Sequence, residues 1–462
     1  MNVLYLNTHD IGRCLPVYGY PAQTPCLDRL SRESAVFEQC YCVSPTCSPS
    51  RGALLTGQSP HNNGLIGLAH RGFELNGRHH LAAFLSSQGY ETVLSGVQHE
   101  ALLRQERTLG YRRCLNDEVY YDTSLPECDR LTAQDKMAAK NAAAYLRERR
   151  PDDPPFFLAV GFGCTHRAYP RVPEDMEVDA VRVPDGLPDT PEGRRDIAAL
   201  GIALGTMDAC CGEVLDALRE SGEYDDTLIL FTTDHGLPMP GWKCCLTDGG
   251  IGVAMMLRCP GVGPRRIDAL VSQLDVFPTI CDALGLEKPD WLEGVTLMPL
   301  LLGETDRARE AVFAETNYHV AYQPARCART ERYKLIERGE DGYGRFPPAN
   351  VDDSCFKEAY RELGYFEAPL PREELYDLAA DPGERTNLAE RPEYGPTLEG
   401  MRRLLHDWRA EMGDPLLFGP VPLPERAICA TPDSYSTKSQ VILPECRKNL
   451  EALRGSLQNV IV

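Results

Sequence analysis

Runs rich in β-branched and aromatic residues alternate with helical patterns through the first two-thirds of this 462-residue chain, and that alternation leaves few folds open. Residues 3–7 read as a strand, 24–34 as a helix and 35–42 as a strand. A helical stretch at 82–88 leads into a strand at 91–95, and residues 133–150 form a long helix that Pro151 ends. A strand at 156–161, a helix at 197–221 and a strand at 227–232 complete the pattern. Such alternation predicts an α/β fold with a parallel, doubly wound sheet and helices on both faces. Ligands in such sheets gather beyond the carboxyl ends of the strands. His9-Asp10, His99, His166 and Asp234-His235 each stand just after a predicted strand, which makes them the first candidates for a site.

Around residues 303–311 the composition turns charged, and shorter strand patterns follow at 311–315 and 333–337, with a helix at 395–412. This predicts two domains: residues 1–308, carrying the chemistry, and residues 309–462, a smaller α+β unit built on an antiparallel sheet. Its tail starts near residue 420 with a Pro-rich loop and has a helical stretch at 445–457.

The formal charge is −20, which argues against nucleic acid as a partner. An anionic ligand would need a local positive pocket, and a small or sparsely charged one is easier to accept than a dense polymer. Apolar runs never reach the 18 residues of a membrane span, so no membrane association is expected. The eighteen cysteines are about 4% of the chain, below the density of a disulfide scaffold. Adjacent pairs (Cys210-Cys211, Cys244-Cys245) suit reduced thiols, and residues 1–7 read as a strand rather than a secretory signal. A cytoplasmic location is expected.

Between the strand at 35–42 and the apolar run 52–57 lies Cys47-Ser48-Pro49-Ser50-Arg51. A nucleophile at a strand-to-helix turn sits where helix N-terminal N–H groups favour an anion, and Arg51 adds a planar cationic fork. Cys-x-Pro-x-Arg followed by Leu55-Thr56-Gly57 resembles the signature of the formylglycine-dependent sulfatases, of the alkaline phosphatase superfamily. Further likeness lies in residues 24–30, in Asp275-Val276-Phe277-Pro278-Thr279, and in Glu374-Leu375-Tyr376-Asp377-Leu378 with Asp381-Pro382-Gly383-Glu384. The phrase 44–51, with Gln58, His61-Asn62-Asn63-Gly64 and Gly67-Leu68, is most similar to the heparan N-sulfatase branch.

The resemblance implies an alkaline-phosphatase-like fold, a large, mixed, mainly parallel sheet sandwiched by helices. It implies that Cys47 is oxidised to formylglycine (3-oxoalanine) by a formylglycine-generating or anaerobic sulfatase-maturating enzyme. It also implies one divalent metal held by His9, Asp10, Cys47, Asp234 and His235. His9 stands where the family has Asp, so Ca²⁺, the family default, competes with Mn²⁺ or Zn²⁺, which accept nitrogen. The remaining catalytic candidates are Arg51, His99, His166 and Lys243. His99 closes Gly96-Val97-Gln98-His99, where Val97 replaces a family lysine, and it fits the base that acts on the hydrated aldehyde. His166 fits the acid for the leaving group, and Lys243 precedes the Gly249-Gly250-Ile251 turn as a family lysine does. His319, Arg326 and Arg329 are candidate substrate contacts.

The activity so implied is hydrolysis of a sulfate ester or sulfamate on a sulfated small molecule or saccharide, by an enzyme that can form homo-oligomers. Two rivals remain: a phosphonate monoester hydrolase or phosphodiesterase of the same superfamily, and a catalytically silent binding protein with unmodified Cys47.

Overall fold

The computed structural model describes residues 1–122, 124–339 and 344–457, so residues 458–462 of the expected tail lie outside it. Among the described residues twelve strands form two sheets. The larger contains β1 (Asn2–Thr8), β2 (Ala35–Tyr41), β3 (Glu91–Gly96), β4 (Arg113–Cys114), β5 (Phe156–Phe162), β6 (Thr227–Thr233), β7 (Met255–Arg258) and β8 (Arg265–Ser272). Their order is β4-β3-β5-β1-β6-β7-β2-β8. Only β7 runs antiparallel to its neighbours, so the sheet is mixed and mainly parallel, as the family resemblance implies.

The central strands are buried along their whole length. β1, β5 and β6 read as unbroken apolar or small-residue runs because helices cover both faces. On one face lie Glu127–Glu148 and Pro191–Glu220, whose alanine and leucine stripes pack with Leu4, Leu158 and Ile229. The second of these is long and apolar enough to cross a membrane by composition alone. Yet 67% of its most apolar window is buried inside the protein, as befits a core helix. It starts six residues before the predicted point, at a Thr190 cap whose hydroxyl accepts from the Gly193 N–H, with Pro191 in its first turn. Those opening turns are polar, so hydrophobic periodicity missed them.

The smaller sheet, β12-β11-β10-β9, is antiparallel: β9 (Ala311–Tyr318), β10 (Tyr322–Thr330), β11 (Tyr333–Arg338) and β12 (Glu373–Asp377). Helix Gly395–Met412 lays Leu398, Met401 and Leu405 on one face. Val312, Ala314, Cys327 and Ile336, on the other, join Tyr41, Val271 and Phe277 in a single core with the large sheet. The tail returns across the molecule. Val421, Ala427, Ile428 and Cys446 pack on Leu65, Ile66, Ala69 and Phe73, and Ala430 bridges to Ala321. None of the eighteen cysteines is paired in a disulfide.

Candidate functional site

With every strand but β7 pointing the same way, seven carboxyl ends open on one edge of the large sheet. β1 delivers His9 and Asp10, and β6 delivers Asp234 and His235. Parallel register (Thr8↔Thr233) brings those two pairs out side by side, and the Asp10 N–H donates to Asp234 Oδ1 at 2.9 Å. Asp10 has φ +51°, a left-handed conformation that costs a non-glycine residue on the order of 1–3 kcal/mol. Glycines let the surrounding loops close. A Cβ on Gly236 would lie 1.8 Å from the Gly249 carbonyl oxygen, and one on Gly161 would lie 1.9 Å from that of Val97.

Cys47 opens helix Cys47–Thr56, every residue of which is buried. Its Sγ lies 3.2 Å from His235 Nε2 and 3.8 Å from Asp10 Oδ1. Ligand atoms of His9, Asp10, Cys47 and Asp234 fall within 4.8 Å of one another, all buried. His235 Nδ1 contacts the Gly236 carbonyl oxygen at 3.0 Å. A carbonyl only accepts, so Nδ1 carries a hydrogen and Nε2 is the ring nitrogen facing Asp10 Oδ1, 3.1 Å away. A cation between that nitrogen and the carboxylate would have a ligand on each side. His9 repeats the signal. Its Nδ1 is 3.1 Å from Asp234 Oδ2 but poorly aligned for a hydrogen bond, and both buried ring nitrogens lack a hydrogen-bond partner. Two carboxylates and two imidazoles around residue 47 therefore fit a divalent metal. The nitrogen share favours Mn²⁺ or Zn²⁺ more than an all-oxygen site would.

Fixed cations flank this cluster. Arg51 Nε donates to Asp234 Oδ2 at 3.1 Å and its Nη1 to Asn7 Oδ1, while Nη2 is buried without a partner. Lys243 Nζ bridges Asp10 Oδ2 and Asp352 Oδ2, each at 2.8 Å. Burial alone would push the lysine down, but Asp10 and Asp352 outweigh it and hold it well above its ordinary value. Burial would likewise raise Asp10, yet Lys243, His235 and His166 keep it below the usual carboxylate range. Cys47 goes the other way: burial, with Asp10 and Asp234 nearby, raises the thiol well above its normal value despite Lys243 and Arg51. An unmodified Cys47 in this setting is a neutral thiol, a weak nucleophile.

His166 Nδ1 donates to the Arg167 carbonyl oxygen, leaving Nε2 3.7 Å from Asp10 Oδ2. The ring of His99 lies edge-on to His9, with centroids 5.5 Å apart, and stacks on His70 at 5.4 Å with Nε2 3.3 Å from His70 Nδ1. Burial, with His70, His9 and Arg51 adding, holds His99 well below the usual imidazole value. His319 lines the adjoining cavity of about 540 Å³, together with His70 and Asp352, and its Nδ1 is unpartnered. A larger cavity of about 690 Å³, between the 69–78 and 100–109 loops, has none of these groups in its wall. Chemistry, not volume, picks the site.

The structure thus brings Cys47, Arg51, His9, Asp10, Asp234, His235, His166, Lys243 and His99 together, with His319 beside them. Arg326 and Arg329 are not brought there, which corrects the expectation that they contact substrate. Arg326 is fully buried, forked onto Asp414 at 2.9 and 2.7 Å. Arg329 pairs with Asp248 Oδ2 at 3.2 Å and stacks on Tyr41. Both brace the smaller sheet. Sequence reasoning missed His70 and Asp352. Neither follows a predicted strand, and no local pattern marks them.

Comparison with known proteins agrees with this geometry. The sulfatase family model matches residues 2–286, and the model for the C-terminal part of N-sulphoglucosamine sulphohydrolase matches 242–342. Human N-sulphoglucosamine sulphohydrolase is 29% identical over 477 aligned positions, covering 91% of this chain and 92% of that protein. Among solved structures, a 2-O GAG sulfatase superposes with a TM-score of 0.70 at 22% identity, covering 92% of this chain and 95% of that one. A protein solved in complex with its substrate D-glucosamine-2-N,6-O-disulfate gives 0.67 at 20% identity, covering 89% and 98%.

Proposed function

The chain belongs to the sulfatase family, and from that premise we propose that it hydrolyses a sulfate ester or sulfamate on a sulfated saccharide, with residue 47 as nucleophile. One observation carries the reading: a buried helix-opening Cys47 within 4.8 Å of metal-type donors from His9, Asp10 and Asp234, flanked by Arg51 and Lys243. Residue 47, matured to formylglycine by a separate enzyme, would supply a hydrated aldehyde hydroxyl. A divalent cation held by His9, Asp10, Asp234 and His235 would supply Lewis acidity at the sulfate oxygens.

The chain's own residues do the rest. Arg51, Lys243 and the first-turn N–H groups of helix Cys47–Thr56 hold the anionic sulfo group over residue 47. Because the Arg167 carbonyl fixes the Nδ1 hydrogen of His166, its Nε2 is the atom that, when the ring carries its second hydrogen there, passes that proton to the departing oxygen or nitrogen. His99, kept neutral by burial, takes a proton from the hydroxyl side. His70 stacks on His99 and fixes its plane. A water-poor pocket strengthens each of these charges.

The test has two parts. A tryptic peptide containing Cys47, from protein coexpressed with a maturation enzyme, should weigh about 18 mass units less than its cysteine form, by bond arithmetic for this covalent change. That protein, loaded with Ca²⁺, Mn²⁺ or Zn²⁺ in turn, should release sulfate from 4-nitrophenyl sulfate or glucosamine N-sulfate and outpace its own turnover of phenyl phosphonate esters. An unmodified peptide in active enzyme, or a preference for phosphonates, overturns the proposal.

A further inference from the structure

A cavity of about 540 Å³, reached from the site through Asp352, the partner of Lys243, is walled by His70 and Arg71, by His319 of the loop after β9 and by the tail. Four carboxylates line it, and each has a cation partner, Asp352 sharing Lys243 with Asp10. Asp352 pairs with Lys243 at 2.8 Å, Asp196 with Arg167 at 2.5 Å, Asp353 with Lys357 at 3.0 Å and Glu127 with Arg130 at 3.8 Å. Two lining cations have no such counterpart. Among the described residues no carboxylate comes within ion-pair distance of Arg71 or of Lys438, which lies near Asp353 without pairing to it.

Arg71 is only 2% exposed. Its Nε donates to the Ile428 carbonyl oxygen at 3.2 Å, and its Nη2 to Gln440 Oε1 at 2.9 Å and the Val320 carbonyl oxygen at 3.4 Å. All three acceptors are uncharged, and Nη1 has none. Burial without a carboxylate pulls this guanidinium down to about 10, so it remains charged at neutral pH. His70 and His319 share the cavity but are held neutral by burial. The unpaired charges on the cavity wall are therefore both positive, on Arg71 and Lys438, in a chain whose net charge is −20. A buried guanidinium without a counter-ion is costly unless a ligand completes it, and Nη1, which has no acceptor among the described residues, can donate to a carboxylate or sulfate oxygen.

We propose that the cavity takes a doubly anionic saccharide: one sulfo group is cleaved at residue 47, and a second sulfate or carboxylate on the same molecule is held by Arg71 with Lys438 at the rim. The cleaved group rests on the sulfatase reading; the second anion rests on the charge count alone. The tail, which supplies Lys438 and Gln440, then acts as a specificity wall.

The experiment uses the matured, metal-loaded full chain and three probes: glucosamine N-sulfate, glucosamine N,6-O-disulfate, and a uronate-containing disaccharide bearing one N-sulfate. Wild type should favour one or both double anions by about tenfold or more in kcat/KM, chiefly through KM, and the winning probe tells sulfate from carboxylate. Arg71→Gln should erase that preference while turning over glucosamine N-sulfate within about threefold of wild type. Lys438→Gln, at an exposed site, should weaken the preference without affecting folding. Equal loss on all probes makes Arg71 a staple for the tail and overturns the proposal, as does a wild type blind to the second charge. Calorimetric binding of the probes to Cys47→Ala protein separates the two readings. If no probe is turned over but the double anion still binds more tightly, the sulfatase reading fails and the anion subsite stands; equal binding sinks the subsite.

Discussion

Replacing Arg326 with Met tests whether this arginine braces the fold or touches substrate. Its guanidinium is fully buried, donating to Asp414 Oδ2 and Oδ1 at 2.9 and 2.7 Å and to the carbonyl oxygens of Thr316 and Ala325, with Glu315 Oε2 3.6 Å away. Methionine fills much of the volume but strands two carboxylates. Breaking a buried pair costs about 3–5 kcal/mol. The lower end applies here, because Asp414 keeps Arg409 at 2.9 Å and Glu315 keeps His61 at 2.6 Å. With an unfolding entropy of about 2.1 cal/mol/K per residue over 462 residues, about 3 kcal/mol lowers a cooperative Tm by about 3 °C. Adding Asp414→Leu removes one of the two carboxylates while Arg409 keeps Glu337, and should recover the variant to within about 1–2 kcal/mol of wild type. The assay is scanning calorimetry of both variants beside kcat/KM per folded molecule, which should stay within about twofold of wild type. An unchanged Tm with KM raised tenfold or more would return Arg326 to the substrate and refute the argument.

Three further outcomes follow from the site and its surroundings. His99→Ala should lower kcat by about 10²–10⁴-fold with KM little changed, measured as sulfate release from matured enzyme; near-normal turnover removes His99 from the chemistry. His9→Asp turns the metal cluster toward oxygen donors, so protein purified from mixed metals should shift toward Ca²⁺ by elemental analysis; identical metal content in both proteins would contradict a role for His9 as ligand. His61, buried against Glu315 with Arg326 and Asp414 facing it, has its pKa raised: burial opposes the charge, but Glu315 outweighs it. A raised folded value means that His61 stabilises the fold fully below its unfolded value, near 6.5, and that this contribution fades as pH rises through the folded value. The Tm of wild type should therefore fall more than that of His61→Gln across that window, and parallel curves would refute the coupling.

Much of this architecture was legible because burial wrote it into local patterns. β1, β5 and β6 are covered on both faces, so they appear as continuous apolar runs, and the reactive residues follow at their ends, as at Thr233-Asp234-His235. Helix Gly395–Met412 was visible through its apolar stripe. β10 was not. Tyr-Gln-Pro-Ala-Arg-Cys-Ala-Arg-Thr looks like an exposed segment, yet it is a central strand of the smaller sheet whose arginines are neutralised by Asp414 and Asp248, far away in sequence. The same blindness hid His70 and Asp352, whose partners His99 and Lys243 lie on other elements. Pattern along the chain reports which face is buried; it does not report which charges meet.

That distinction also says where function can sit in so acidic a molecule. Arg326, Arg329 and Arg71 are the same residue type and all are buried, but two carboxylates face the first, one the second and none the third. Where pairing is complete the arginine is structural, and where it stops a ligand has charge to meet. The body's −20 acts over longer range and is screened beyond about 10 Å at 0.1 M salt, whereas the cavity's unpaired cations act at contact. Salt should therefore affect small and long substrates differently. A disulfated sugar feels mainly the cavity, so its kcat/KM should fall as salt rises from 0.02 to about 0.2 M. A long sulfated polymer must first approach the negative body, so its association should speed up over the same range before the local loss prevails. A polymer whose rate falls from the lowest salt, in parallel with the sugar, would mean that a positive surface guides approach, contrary to the charge distribution described above.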